Sequence, residues 1–304
     1  MSTSPPKPTP KPIDESWKRF PWWLVAIIGF LIFMAYLIIT NENYNEAFMF
    51  IKGSPGAWDD LIDRDFAAFI GKGVSVTIFT TLTAFGFALI LGLMAGLGRI
   101  SKNTFLRNLA TTYVEFIRGV PTLVLIFTVA FVLVPLVGDL LIGETVIEEG
   151  MSYSMNMHAD MALFGESIKA VSMNTRAIVA LALIYGAFLA EVFRAGIESI
   201  TKGQMEAARS LGMTQTQAMR KIILPQAVRN ILPALGNDFI AMLKDSSLVS
   251  VLAVRDITQQ GRLYAGSSFR FRESYLVLTF LYLSMTLTLS LLLRYLEKRM
   301  GKNV

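Results

Sequence analysis

The sequence predicts an all-α, polytopic membrane protein with six transmembrane helices. Hydrophobic residues make up 53% of the 304-residue chain, and its mean hydropathy of +0.51 is typical of membrane proteins. Six apolar runs have roughly the 20 residues that an α-helix needs to cross a bilayer. These runs cover residues 22–40, 74–97, 113–137, 177–197, 235–254 and 275–293.

The composition leaves little room for metal, redox or acid–base chemistry. The chain has no cysteine, which excludes disulfides, thiolate metal sites and cysteine nucleophiles. Its one histidine, His158, lies in the connection 138–176, where we expect it to be exposed. We therefore predict no catalytic residue, no metal site and no cofactor. We attribute the net charge of +5 to basic cytoplasmic flanks rather than to nucleic-acid binding.

A proline-rich leader precedes the first apolar run. The stretch "SPPKPTPKP" predicts a disordered tail over residues 1–21. A cleaved signal peptide is the alternative for run 22–40. Against it, the leader is long, the run has full transmembrane length, and "TNENYNE" offers no small-residue cleavage site. We interpret the run as a retained transmembrane helix, followed by an extracytoplasmic connection over residues 41–72.

The second run, 74–97, carries a close-packing motif. Gly92 and Gly96 form a small-xxx-small pair. Glycine at this spacing lets two helix backbones approach each other closely. We therefore predict that this helix packs tightly against another helix of the bundle.

Two pairs of opposite charges lie three residues apart, so each pair shares a helix face. Glu115 and Arg118 lie near the cytoplasmic start of the third run, before the stretch "GVP", where we expect a kink. They are either an interfacial ion pair at a helix entry or part of a transport path. Glu191 and Arg194 lie at the cytoplasmic end of the fourth run, and we interpret them as a structural brace.

A basic, patterned segment separates the fourth and fifth runs. Its sequence, "GQMEAARSLGMTQTQAMRKIILPQA" (203–227), favours two short helices joined by a tight corner. Gly212 is suited to end the first helix, because it adopts a left-handed conformation without a Cβ penalty. Thr214 and Gln217 form a capping-box pattern at the start of the second helix, which we expect Pro225 to end.

The packing face of this segment is expected to contain Ala207, Ala218 and Ile222. Alanine favours a helix and permits another surface to approach closely. The alternative is an amphipathic pair of helices that lies on the lipid surface. The sequence pattern alone leaves both interpretations open.

The fifth run carries charged residues within its apolar sequence. Lys244 and Asp245 fall near its middle, where each charge costs on the order of 2.5–3.5 kcal/mol on insertion scales. They must therefore face the bundle interior or a wet cavity. One interpretation is a lining of the substrate path, and the other is ion pairs that fix helix packing. Ser246 and Ser247 are weaker evidence, since serine can hydrogen-bond back to its own helix.

Lysine and arginine counts predict that both chain termini are cytoplasmic. When the connecting segments are assigned alternately to the two sides, one side receives 16 basic residues and the other receives nine. The richer side contains the leader, the loops 98–112 and 198–234, and the C-terminal end from Arg294, which includes the tail at 297–304. The loop 255–274 is discordant, because it carries four arginines on the predicted outer side.

Seven residues of the basic segment follow one motif. It reads Glu-Ala-Ala, three residues, Gly, nine residues, Ile, one residue and Leu-Pro, and a full chance match is on the order of one in a million. This motif resembles the signature loop of ABC importer permeases, which docks into a cytoplasmic ATPase and transmits its closure to the membrane helices. The resemblance assigns ATPase coupling to Glu206, Ala207, Ala208, Gly212, Ile222, Leu224 and Pro225.

Other stretches look like the polar amino acid uptake branch of this family. They are "YVEFIRGVPTLVLIF", "AFLAEVFRAGIESITKGQMEAARSLGM" and "LPQAVRNILPALGNDFIAMLKDSSLVS". The resemblance implies a type I ABC importer permease in a bacterial plasma membrane. Its five-helix core would occupy residues 73–296, with run 22–40 as an added N-terminal helix. The implied substrate is a polar or charged amino acid, and the possible path residues are Glu115, Arg118, Lys244, Asp245, Ser246 and Ser247.

The resemblance also implies partners. They are a cytoplasmic ABC ATPase dimer, a second permease subunit (identical or related), an extracytoplasmic amino-acid-binding protein and membrane lipid. The chain contains no GxxxxGK[ST] loop, which agrees with a permease that relies on a separate ATPase. Val120 and Leu125 stand where branch members often have threonine and glutamine. The sequence therefore does not identify the amino acid.

Two other functional classes remain as alternatives. A secondary transporter or channel driven by an ion gradient would explain the intramembrane charges, but it gives the basic segment no role. An intramembrane enzyme has little chemistry available, because the sequence lacks HExxH, GxSxG and paired histidines.

Overall fold

The computed structural model describes residues 22–53, 71–142 and 171–301, and all regular structure in these ranges is helical. This confirms the predicted all-α class, while His158 lies outside the described residues. A π-helix, Val129–Leu133, joins the α-helices Thr122–Thr128 and Val134–Ile142. A second π-helix, Met219–Ile223, joins Gln215–Ala218 and Leu224–Asp245, and a 3-10 helix, Ser246–Leu252, follows. The α-helices are α1 (Trp22–Thr40), α2 (Glu42–Lys52), α3 (Lys72–Arg99), α4 (Thr104–Gly119), α5 (Thr122–Thr128), α6 (Val134–Ile142), α7 (Met173–Glu198), α8 (Lys202–Ser210), α9 (Gln215–Ala218), α10 (Leu224–Asp245), α11 (Ile257–Ser268) and α12 (Phe271–Gly301).

The described residues supply three to five membrane spans. α3, α7 and α12 are each long and apolar enough to cross a bilayer. Two further pairs meet this test only together: α1 and α2, bent by 102°, and α4 with the following helices, bent by 113°. The second bend falls at the predicted kink, between Gly119 and Thr122. The number of six transmembrane helices stays a prediction.

The fifth apolar run, 235–254, is not one regular helix. α10 begins before the run and ends within it at Asp245, where the backbone tightens into the 3-10 helix. The tight segment ends at Ala253, which has a left-handed φ of 58°. Hydropathy does not distinguish α-helical from 3-10 hydrogen bonds, so the apolar run could not reveal where the α-helix ends. As a result, Lys244 and Asp245 lie in the last turn of a helix rather than at its middle.

The main hydrophobic core forms where α3 packs along α7, the most extensive contact between described helices. A Cβ at Gly92 would lie 2.6 Å from the Cβ of Leu189, and one at Gly96 would lie 2.9 Å from the Cβ of Phe193. Only glycine permits this approach of the two backbones, which confirms the predicted role of the small-xxx-small pair. α4, α5 and α10 complete the core around α7.

The N-terminal helices pack in a second hydrophobic cluster. Met34 of α1 and Ile51 of α2 are fully buried in this cluster, which also includes Ile257 of α11 and residues of α12. An ion pair of 2.5 Å between Arg270 and Glu46 adds a polar link between α2 and the turn before α12. α1 thus packs on α2 and directly on α12, rather than on the main core.

Candidate functional site

The corner between α8 and α9 is closed by a Schellman motif. Gly212 has a φ of 78°, and its N–H donates to the carbonyl of Arg209 at 3.0 Å. The N–H of Met213 donates to the carbonyl of Ala208 at 3.2 Å. These bonds satisfy carbonyls that lose their partners where α8 ends. Gly212 therefore ends the first helix of the segment, as the sequence predicts.

α9 begins with the predicted capping box. Thr214 Oγ1 accepts a hydrogen bond from the Gln217 N–H at 3.3 Å, and the Thr214 N–H donates to Gln217 Oε1 at 2.9 Å. The two bonds thus satisfy the backbone N–H groups of Thr214 and Gln217 at the start of the helix. Together with the Schellman motif, they define the angle between α8 and α9 through local hydrogen bonds.

α8 packs against α9 and the following π-helix through small residues. Ala208 and Ala218 are fully buried at this contact. The predicted packing face is correct for Ala218, and Ile222 is half-buried. Ala207 does not take part in this contact within the chain and is exposed, because the next residue of the helix, rotated by about 100°, makes the contact instead.

The tip of the corner is exposed to solvent. Leu211 is 81% exposed and projects from the corner next to Gly212, around which a Cβ would meet no atom within 4 Å. Glu206 and Ala207 are exposed on the same helix. A corner that is ordered by its own hydrogen bonds and carries an exposed leucine is suited to enter a cleft of another protein.

Pro225 does not end the second helix, so this prediction is wrong. The helical backbone continues from α9 through the π-helix Met219–Ile223 into α10. The Leu224 N–H bonds to the Met219 carbonyl five residues back, and this wider turn makes room for the proline ring that follows. Pro225 is the second residue of α10, so the helical backbone passes through a residue that has no N–H directly after this wider turn. The corner is therefore continuous with the long helix α10.

Glu191 of α7 binds three arginine side chains. Its Oε1 accepts hydrogen bonds from Arg99 Nη1 at 2.6 Å and from Arg118 Nη1 at 3.0 Å. Its Oε2 accepts from Arg194 Nε at 2.9 Å. The Glu191 and Arg99 side chains are only 21% and 13% exposed. The cluster therefore joins the ends of α3 and α7 to α4 in a setting that is partly shielded from water.

The sequence-predicted pairs are thus parts of one network. Glu191 and Arg194 form the expected pair three residues apart. Glu115 pairs with Arg99 at 3.2 Å, while Arg118 pairs with Glu191, so both charges of α4 bind other helices instead of each other. The geometry agrees with the brace proposed for Glu191 and Arg194. A role of Glu115 and Arg118 in a transport path stays a prediction.

Lys244 and Asp245 point to different surroundings. Asp245 Oδ2 accepts a hydrogen bond of 2.8 Å from the hydroxyl of Tyr185 on α7, so it links two helices. Lys244 is exposed at the end of α10, where the helix dipole favours a cation. Ser246 is buried and donates to the carbonyl of Leu243 at 2.8 Å, which is the predicted bond to its own helix.

A cavity of about 470 Å³ lies between the end of α10 and the helices α11 and α12. Its only charged lining residue among those described is Lys244, and most of the remaining polar groups are hydroxyls. The lining comprises Lys244, Ser247, Thr258, Tyr275, Leu278, Thr279, Tyr282, Leu283 and Thr286. An ammonium group among hydroxyls suits a carboxylate-bearing ligand of small size.

Asp256 lies beside this cavity, in the turn between the 3-10 helix and α11. It caps α11 by accepting from the Gln259 N–H at 2.9 Å, and the Tyr282 hydroxyl lies 3.5 Å from its Oδ2. Burial raises the pKa of Asp256 to about 6. The Tyr282 hydroxyl also lies 2.7 Å from that of Thr258, which lines the cavity.

Three residues of these arrangements escape the sequence analysis: Arg99, Tyr185 and Asp256. Arg99 ends an apolar run, which is a recognisable signal for an interfacial charge, but its partners lie on other helices. Tyr185 stands within an apolar run, where a buried phenol needs a hydrogen-bond partner. Asp256 fits an N-cap pattern, which could have located the start of α11 but not its neighbour Tyr282.

Comparison with known sequences gives a consistent family assignment. Residues 88–302 match the family described as "Binding-protein-dependent transport system inner membrane component". The chain is 37% identical over 231 residues to the probable amino-acid permease protein YxeN of Bacillus subtilis (strain 168), covering 76% of this chain and 91% of that protein. It is 31% identical over 229 residues to the glutamine transport system permease protein GlnP of Escherichia coli (strain K12), covering 75% and 91%.

Solved structures give the same fold. A chain from a crystal structure of an amino acid ABC transporter with histidines matches with a TM-score of 0.60 and 36% identity, covering 75% of this chain and 92% of that one. A chain of the inward-facing MetNI methionine ABC transporter matches with a TM-score of 0.55 at 20% identity, covering 75% and 94%. At that identity, the second likeness concerns the fold alone.

Proposed function

The chain belongs to the binding-protein-dependent inner-membrane transport components, the permease subunits of ATP-driven ABC importers, and we propose that it imports a polar or charged amino acid. The observation that carries this proposal is the similarity to named amino-acid permeases over about nine tenths of their length. The chain is a multi-pass membrane protein and not an enzyme, since a separate subunit of such importers hydrolyses ATP. This assignment favours ATP over an ion gradient as the energy source.

We propose that the corner of α8 and α9 is the coupling element that docks into the ATPase. Its support is physical: local hydrogen bonds order the corner, its tip is exposed, and its second helix continues into α10. The coupling residues would be Glu206, Ala207, Ala208, Gly212, Ile222, Leu224 and Pro225. Glu206, Ala207 and Gly212 would contact the ATPase, whereas the buried Ala208 would hold α8 on α9.

The substrate would pass the hydroxyl-lined cavity at the end of α10. Lys244 would attract the α-carboxylate of an amino acid, and Ser247 would contribute a hydrogen bond from the same wall. Asp245 and Ser246 are engaged with Tyr185 and Leu243, so we assign them to the walls of the path rather than to substrate binding. Glu115 and Arg118 would contribute to the cytoplasmic end, through the network around Glu191.

An importer of this family works with an ATPase and a substrate-binding protein. The finer assembly is part of the proposal: two ATPases below, and a second permease, identical or related, beside this chain. The corner and both termini would face the cytoplasm of a bacterial cell, with α2 and α11 on the outer side. In this topology, ATP-driven closure of the ATPases would move the two corners together and turn the path outward.

Transport by purified components in lipid vesicles tests the function. The permease, its ATPase and its binding protein would be reconstituted with labelled glutamine, glutamate, histidine or arginine outside the vesicles. We expect uptake of at least one of these amino acids with ATP inside and no ion gradient. Uptake driven by a proton or sodium gradient in the absence of ATP would refute the proposal.

The proposed topology has its own test in intact cells, because the chain is free of native cysteines. Single cysteines would replace Leu211 at the tip of the corner and Glu46 on α2. An impermeant thiol reagent added outside should label the second and not the first. Labelling at the corner would place it on the wrong side for an ATPase.

A further inference from the structure

A deep apolar groove lies among α3, α7 and α10, next to the proposed coupling element. Its volume is about 460 Å³, and its lining side chains are all apolar. Its walls include Leu93 and Leu97 of α3, Phe193 of α7, and Met219, Leu224 and Leu232 of the π-helix and α10. Leu224, which the proposal counts among the coupling residues, lines one wall of this groove, whereas no residue of the proposed amino acid path lines it.

The groove has the length of a lipid chain. It follows the helix from Met219 to Leu235, which corresponds to about 24 Å at 1.5 Å per residue. The hydrocarbon part of one leaflet is roughly half of 30 Å, or about 15 Å. An occupant that enters at the cytoplasmic surface can therefore follow the groove to the middle of the bilayer.

A second, polar cavity adjoins the cytoplasmic end of the groove. It has a volume of about 380 Å³, and its lining combines Met219 and Leu224, which it shares with the groove, with Gln215, Thr216 and Arg220. The Arg220 side chain forms no ion pair or hydrogen bond with the residues that the structure describes. The combined site thus has an apolar part at membrane depth and a cationic part at its mouth.

We propose that this combined site binds one anionic phospholipid of the cytoplasmic leaflet. An acyl chain fills the groove, and the phosphate lies against Arg220, with Gln215 and Thr216 as hydrogen-bond donors. A basic mouth on the cytoplasmic side of a helix bundle favours an anionic headgroup over a zwitterionic one. A second copy of the chain is a poorer occupant, because its symmetric contact would bring its own Arg220 and Lys221 towards the same cations.

The occupant has a mechanical consequence for the coupling element. One wall of the groove is the π-helix and α10, which continue from the corner, and the opposite walls are α3 and α7. A bound chain supports α10 against these helices along its cytoplasmic half.

Native mass spectrometry of the purified full chain tests the binding site. Detergent-solubilised protein is titrated with phosphatidylglycerol or with phosphatidylcholine of the same acyl composition. Arg220→Gln removes the charge at the exposed mouth. Leu232→Trp fills the groove, and Leu292→Trp places the same bulk on an exposed position of α12 as its control. Size-exclusion profiles and thermal unfolding report whether each variant is folded.

The proposal gives a distinct result for each variant. The wild-type chain should bind phosphatidylglycerol more tightly than phosphatidylcholine. Arg220→Gln should weaken phosphatidylglycerol binding about fivefold and leave phosphatidylcholine binding unchanged, as expected for one basic residue near a lipid phosphate. Leu232→Trp should weaken both, and Leu292→Trp neither.

Other results would overturn the lipid assignment. If the wild-type chain binds phosphatidylglycerol and phosphatidylcholine equally well, the proposed headgroup site is refuted. The same conclusion follows if Arg220→Gln binds phosphatidylglycerol as tightly as the wild-type chain does. A Leu232→Trp chain that loses dimers but keeps its lipids would show that a second copy covers the groove. If Arg220→Gln weakens only ATPase binding, Arg220 belongs to the ATPase interface. Because the readout is lipid binding, these outcomes do not depend on which amino acid is transported.

Discussion

Replacing Glu191 with glutamine should destabilise the protein far more than replacing any exposed acid of the same network. Glu191→Gln keeps the size of the side chain but leaves Arg99, Arg118 and Arg194 without their shared carboxylate. Breaking a buried ion pair costs about 3–5 kcal/mol, whereas an exposed pair contributes about 0–1 kcal/mol. The Arg99–Glu191 pair lies closer to the first case, since both side chains are mostly buried.

We therefore expect Glu191→Gln to cost about 2–3 kcal/mol, between these two limits. The matched control is Glu198→Gln on the same helix, since Glu198 is 53% exposed and, among the described residues, pairs only with Arg194. Its expected cost is about 0.5 kcal/mol or less. In thermal unfolding of the purified chain in detergent, Glu191→Gln should lower the midpoint by roughly 5–10 °C and Glu198→Gln by about 2 °C or less.

A double variant separates the loss of the pair from a loss of packing. If the cost of Glu191→Gln arises from unpaired cations, adding Arg99→Gln should cost less in this background than in the wild-type protein. Equal midpoints for Glu191→Gln and Glu198→Gln would refute the view that Glu191 is the centre of the network. Strictly additive costs of Glu191→Gln and Arg99→Gln would refute the charge-based explanation.

Three further predictions concern the corner, the path and the turn before α11. Gly212→Asp should abolish uptake while membrane insertion stays normal, because it puts a charge at the proposed docking tip. Gly212→Asn tolerates the same backbone conformation and should retain much of the uptake. Equal uptake by the two variants would reject a charge effect. Lys244→Gln should raise the KM for the amino acid about tenfold, with a normal yield of assembled complex. Asp245→Asn should lower the yield of assembled complex without changing the transport rate per complex. The reverse pattern would assign substrate binding to Asp245 and a structural role to Lys244. The raised pKa of Asp256 means that its protonated form favours the folded state, so this contribution is present below pH 4 and is lost as the pH rises through 6. Asp256→Asn, which can still cap α11, should therefore gain about 3 kcal/mol of stability relative to the wild-type protein between pH 4 and pH 7, and a pH-independent difference in unfolding would contradict this.

The sequence was most informative where structure depends on neighbouring residues. The left-handed turn at Gly212 and the capping box of Thr214 and Gln217 are short-range hydrogen-bond patterns, and each follows from a few residue types at fixed spacing. The close contact of Gly92 and Gly96 with α7 was also predictable, because only small residues let backbones touch. In these cases, the residue types that predict the turn, the cap or the close contact are the same residues that produce it.

Sequence reasoning was weakest where the partner comes from another part of the chain. The spacing of Glu115 and Arg118 places them on one helix face, but Arg99 and Glu191 compete for these charges from α3 and α7. Pro225 carries a strong local signal to end a helix, yet the preceding π-helix provides the space that the ring needs. Pairwise rules for one helix include neither the charges of neighbouring helices nor altered hydrogen-bond registers, so they missed the partners of Glu115 and Arg118 and gave the wrong end for the helix at Pro225.

The continuous helix at Pro225 and the ion pairs between helices together determine how the proposed coupling corner connects to the membrane helices. If Pro225 ended a helix, a flexible joint would separate the corner from the membrane helices. Instead, the helical backbone continues from α9 into α10, which contains Pro233 and ends beside the cavity at Lys244 and Asp245. On its other side, the corner follows directly from α7, which carries Glu191. Glu191 binds Arg118, and Arg118 immediately precedes the 113° bend between α4 and α5. The corner is therefore linked physically to both a cavity wall and a helix bend. Uptake by a Glu191→Gln, Lys244→Gln double variant, compared with uptake by each single variant, tests whether the two links are energetically coupled.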